Sequence, residues 1–166
     1  MTEATRRSFE AGHRPKFLVV VDGTPEGGSA IRFAARRCAR TGANLAMLGI
    51  VAEPESFEFL GVGDALRAEA EEEAAALLDG AAAAALAASP GLQPERVVRV
   101  GDKAEAIRAL IDEDPDISFL VLASGTGSSG PGPLVSGIAG MLAGFPVPIV
   151  IVPGDLDENA IDALAG

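Results

Sequence analysis

Two features of the chain carry residue types that could do chemistry: an aspartate that closes one apolar run, and a glycine-rich loop that follows another. The aspartate is Asp22, at the end of "KFLVVVDG" (16–23). The loop is "LASGTGSSGPGPLVSG" (122–137), with five glycines and five serines or threonines. Small residues let successive backbone N–H groups converge on an anion. Thr126, Ser128, Ser129 and Ser136 would add hydroxyl donors, whereas Pro131 and Pro133 remove two N–H groups. The loop is not a Walker loop, because no Gly-Lys-Ser/Thr occurs in the chain. Nor does "DGTPEGGSA" (22–30) have the G-x-G-x-x-G order of a dinucleotide-binding turn. Two readings stay open for each feature. The loop is an anion cradle or a turn that holds nothing; Asp22 is a ligand contact or ordinary Asp-Gly turn chemistry.

Charge narrows the choice. All thirteen Lys and Arg lie between Arg6 and Arg108, and from Ala109 onward there are eight acids and no base. An anion held by the late half must therefore use backbone N–H groups, a metal, or cations from the early half. The single His13 and single Cys38 leave no Ser/His/Asp constellation and no metal-ligand spacing. An enzyme built on this chain would be confined to nucleotide hydrolysis with Asp22 and Mg²⁺. Cys38 falls in a helical pattern, where a buried inert thiol is the simplest reading.

The elements that must position these residues alternate strictly. Apolar runs at 16–23 and 44–52 predict two buried strands, and further strands are expected at 96–101, 117–124 and 147–153. Between them lie helical patterns. Thr24 serves as N-cap and Pro25 as first residue of the first helix, which Gly42 stops. A long Ala-rich helix ends at Pro90, and Asp102 with Glu105 forms a capping box on the next. Such alternation predicts an α/β fold, a doubly wound five-stranded parallel sheet of order 3-2-1-4-5, Rossmann-like. In that order the crevice between strands one and four brings Asp22 opposite Ser124 and the glycine loop.

One domain is expected over 16–153, with a flexible arm at 1–15 and an acidic, solvated tail at 154–166. Phe57, Phe59 and Leu60 sit in a loop as lid, interface or core edge. The net charge of −11 argues against nucleic acid and anionic membranes as partners. "MTEATRRSFEAGHRP" has no apolar core of a signal peptide, and no run approaches the roughly 20 apolar residues of a membrane span, so a cytoplasmic location is expected. The last strand, "VPIVIVP", is apolar and would be a hazard as a bare sheet edge. Pairing of Val147, Ile149 and Ile151 with a second copy would give a homodimer.

The layout resembles the universal stress protein family over about residues 16–153. The residues that carry the likeness are "VVVDGT" at the first strand end, the glycine loop, and "FPVPIVIVP" (145–153). The resemblance implies a stress-response regulatory or binding module that holds ATP or another adenine nucleotide, with Mg²⁺, and that dimerises through its last strand. It would place Asp22 on the nucleoside and Ile50 or Val51 near the adenine, with the loop on ribose and phosphates. Of the family pattern G-x2-G-x9-G-(S/T), Gly127 and Gly137 keep the nine-residue spacing. The first glycine falls on Ser124, with Gly125 one place late, and the final position falls on Ile138, or on Ser136 when counted back from the last strand.

Overall fold

A computed structural model describes residues 5–53 and 63–166. Its strands are β1 (Lys16–Val20), β2 (Asn44–Val51), β3 (Glu95–Val100), β4 (Ile117–Ser124) and β5 (Ile149–Pro153). Helices α1 (Gly27–Thr41), α2 (Gly63–Ala88), α3 (Lys103–Glu113), α4 (Pro133–Ala139) and α5 (Glu158–Ala165) follow them in turn. All strand pairs are parallel and the order is β3-β2-β1-β4-β5, as the alternation predicts.

The central strand is buried along its whole length because both faces are covered. On one face Val19, Leu45 and Met47 pack against Ala34, Cys38, Leu78 and Ala85 of α1 and α2. On the other, Leu18, Leu48 and Leu120 pack against Ile107, Ile111 and Ile138 of α3 and α4. Leu18 and Leu48 are wholly buried, and each contributes about 1.5–3 kcal/mol of transfer free energy. The capping of α3 follows the sequence: Asp102 Oδ2 accepts from the Glu105 N–H at 3.1 Å.

Four local expectations are corrected. Helix α1 starts at Gly27 with Glu26 as its N-cap residue, not at Thr24–Pro25. The Thr24 hydroxyl donates to Asp22 instead, and its carbonyl accepts from the Gly27 N–H at 3.1 Å in a turn ahead of the helix. The last strand starts at Ile149, two residues late. Pro146 and Pro148 have no N–H for the ladder, although the Pro148 carbonyl accepts from Leu120. Val147 therefore precedes the strand and is buried beside Val135 and Ile138, leaving a partner little of its side chain to touch.

The acidic tail is no simple solvated face. It folds as α5 against α1, with Ile161 and Ala165 buried and Asp162 accepting from Arg32 Nε and Nη2 at 2.7–2.8 Å. The Arg32 hydrogen bonds hold the Asp162 carboxyl below its ordinary pKa. The amino-terminal segment is also tied down. An Arg6 guanidinium nitrogen donates to the carbonyls of Ile111, Asp114 and Ile117, and His13 Nδ1 lies 2.6 Å from Asp116 Oδ1. Phe57, Phe59 and Leu60 lie outside the described residues.

Candidate functional site

The turn after β1 sets the site. Val21 is still bonded to the sheet through the Leu48 carbonyl, at 2.8 Å, so Asp22 emerges at the carboxyl end of the strands, half-buried. Its Oδ1 accepts from the Thr24 N–H at 3.2 Å and the Thr24 hydroxyl at 2.8 Å. This is an Asx turn, so one carboxylate oxygen is occupied by structure.

Asp22 and Val51 line one cavity of about 270 Å³, together with Ile50, Glu73, Leu77 and Lys103. That volume is near the lower end of the roughly 300–1,000 Å³ usual for small-molecule sites. Its walls are the ends of β1 and β2 and the inner side of α2. A second hollow, of about 250 Å³, lies across Leu77 and is bounded by Asp22, Thr24, Gly27 and Gly28. Lys103 was not singled out from sequence, yet it is the first residue of α3, directly after the β3 end, and so must lie at this end of the sheet. Among the described residues it has no ion-pair partner.

The glycine loop closes on itself at its base. The Gly125 N–H donates to the Pro131 carbonyl at 2.9 Å and the Gly130 N–H to the Gly127 carbonyl at 3.2 Å. Gly130 (φ 86°) and Gly132 (φ 103°) adopt backbone angles that side chains resist. Thr126 to Ser129 are exposed. A methyl on Gly125 would lie 3.1 Å from the Gly130 carbonyl oxygen, whereas one on Gly127 would meet nothing within 4 Å.

Ser124 ends β4, half-buried, and its carbonyl accepts from the Gly154 N–H at 2.9 Å. Ser136 and Gly137 lie on the exposed side of α4 and line neither hollow, while Ile138 is a core residue. Of the residues singled out from sequence, Asp22 and Val51 thus come together in one cavity. Ser124 and Gly125 come to the turn beside it, and Ser136 and Gly137 stand apart.

The residue that joins turn and loop is Glu26, which sequence reasoning passed over. Its carboxylate Oε1 lies 3.7 Å from where a methyl on Gly125 would sit and 4.0 Å from that on Gly132. Gly154, also passed over, makes the approach possible: a Cβ there would fall 2.4 Å from Glu26 Cβ and 2.8 Å from the Ser124 carbonyl oxygen. No residue pattern marks such a contact, because it joins segments 128 positions apart in the sequence (154 − 26).

At the sheet edge, Ile149 is half-buried and Ile151 is 48% exposed on β5, which among the described residues pairs only with β4. The Cys38 thiol is buried, which pushes its pKa up to about 12 and leaves it unreactive near neutrality. Among the described residues no three His, Cys, Asp or Glu side chains gather as a metal site, and no helix is long and apolar enough to cross a membrane.

Comparison with known proteins agrees with this fold. The model of the universal stress protein family matches residues 13–153. No curated protein matches the chain closely enough to count as a relative. Among solved structures, universal stress protein UspA from Lactobacillus plantarum is 19% identical with a TM-score of 0.66, over 83% of this chain and 97% of that one. A universal stress protein in complex with cAMP is 20% identical (TM-score 0.61; 85% and 98% covered). The universal stress protein from Archaeoglobus fulgidus in complex with dAMP is 16% identical (TM-score 0.60; 83% and 96% covered).

Proposed function

We propose, from the premise that the chain belongs to the universal stress protein family, that it is a regulatory binding module acting in the cytoplasm. It holds an adenine nucleoside or nucleotide at the crevice between β1 and β4. The observation that carries the reading is the single cavity shared by Asp22 and Val51 at the carboxyl ends of β1 and β2, with Glu26 of the same turn reaching Gly125 and Gly132 of the glycine loop. Ile50, Val51 and Leu77 offer an apolar slot for a flat base. The second Asp22 oxygen, with no hydrogen-bond partner among the described residues, offers an acceptor for sugar hydroxyls. The cAMP and dAMP complexes of two similar structures support the same ligand class.

Titration of the purified protein with adenosine and AMP tests this. Asp22→Ala should weaken binding by about tenfold or more, since a charged acceptor is lost. Asp22→Asn keeps the Thr24 turn and separates a folding defect from a lost contact. Absence of saturable binding to the parent protein, with no thermal shift at millimolar ligand, overturns the reading.

The exposed edge of β5 favours a second role, association of two copies along that strand. Replacing Ile149 and Ile151 together by Lys should then halve the mass seen by light scattering. An unchanged mass removes the edge-strand dimer.

A further inference from the structure

The glycine loop already faces a carboxylate of its own chain. We infer that Glu26 is a specificity-determining residue, one that turns the crevice away from phosphorylated nucleotides and toward an uncharged nucleoside. The inference rests on the adenine-site reading above and assigns the ligand class within it.

Glu26 is not a loose surface side chain. It is the N-cap residue of α1, bonded to the helix through its carbonyl and not its carboxylate, and its backbone is packed against Gly154, which the Ser124 carbonyl holds in place. From there Oε1 lies over both ends of the loop, near Gly125 and near Gly132. These glycines close the base of the loop on which the adenine-site reading sets the phosphates. Among the described residues no hydrogen bond or ion pair neutralises the carboxylate. The one cation of the adjoining cavity, Lys103, enters from the β3–α3 side and not from the loop. The later half of the chain supplies no other, since the last base is Arg108. A phosphate entering the loop therefore meets a like charge that no ion pair among the described residues neutralises. A nucleoside, lacking that charge, meets no such opposition.

Calorimetric titration of the parent protein, Glu26→Gln and Glu26→Ala with adenosine, AMP and ATP, each with and without Mg²⁺, tests this. Adenosine should bind all three proteins within about twofold. AMP without Mg²⁺ should bind both variants about tenfold tighter or more, because the like charge that faces the loop is removed. AMP affinity unchanged by either substitution, with adenosine still bound, overturns the inference and leaves the adenine site standing. Weaker Mg²⁺–ATP binding in the variants overturns it too, because the carboxylate would then be helping to hold the metal. If neither adenosine nor AMP binds any of the three proteins, all folded by circular dichroism, the adenine site itself fails and the inference with it.

Discussion

The two ends of the sheet treat their charges differently. At the amino end of the strands, Lys16 Nζ lies 2.6 Å from Asp114 Oδ2 and 2.9 Å from Glu95 Oε2. Arg6 and His13 are bonded to the same rim. Burial alone would lower the Lys16 pKa, but its bonds to Asp114 and Glu95 outweigh that and hold it above the ordinary value. At the carboxyl end, Asp22 has one oxygen bound by Thr24, while Glu26, Glu73 and Lys103 have no partner among the described residues. Charges at the first end are committed to joining strands β1, β3 and β4. Those at the second are left for whatever enters the crevice.

Substituting Lys16 should therefore produce the largest effect on stability and none on binding. Lys16→Met removes a nearly buried ammonium and leaves two carboxylates facing each other. Because Glu95 is half-exposed, the cost falls below the 3–5 kcal/mol of a fully buried pair, at about 2–3 kcal/mol. For a chain of this size that lowers Tm by roughly 5–10 °C. Adenosine affinity below the transition should stay unchanged. A Tm that does not move, or a binding constant that does, would break the division between the two ends.

The division was only half legible in the sequence. Strands β1, β2 and β4 announced themselves because strands covered on both faces are written as continuous apolar runs, and helices announced themselves through Asp102 and Gly42 at their ends. Asp22 was legible because it is the first polar residue after such a run. Thr24 misled because its hydroxyl has two possible partners, a helix N–H or a carboxylate two residues back, and the nearer one wins. Val147 misled because apolar character continues past the point where two prolines stop the ladder. Glu26 was invisible for a different reason: its meaning depends on Gly125, Gly132 and Gly154, which only the folded sheet brings to it.

Two glycines at the carboxyl end sharpen the comparison further, with smaller effects. Gly154→Ala places a Cβ 2.4 Å from Glu26 Cβ and 2.8 Å from the Ser124 carbonyl oxygen, neither of which is a free side-chain end. One of the two segments must shift, at about 1–2 kcal/mol by the scale of overpacked cores. Because the displaced segments are the turn after β1 and the exit from β5, adenosine affinity should fall along with Tm. Gly127→Ala is the control, on the same loop but with nothing within 4 Å of the new methyl. Its φ is not positive, so the change should alter stability by no more than about 0.5 kcal/mol. Denaturant unfolding and adenosine titration of both variants separate the cases. An equal response in the two would mean that the loop, and not the Glu26–Gly154 contact, sets the shape of the crevice. A loss confined to Gly154→Ala would place that control in the packing of Glu26 against the end of β5.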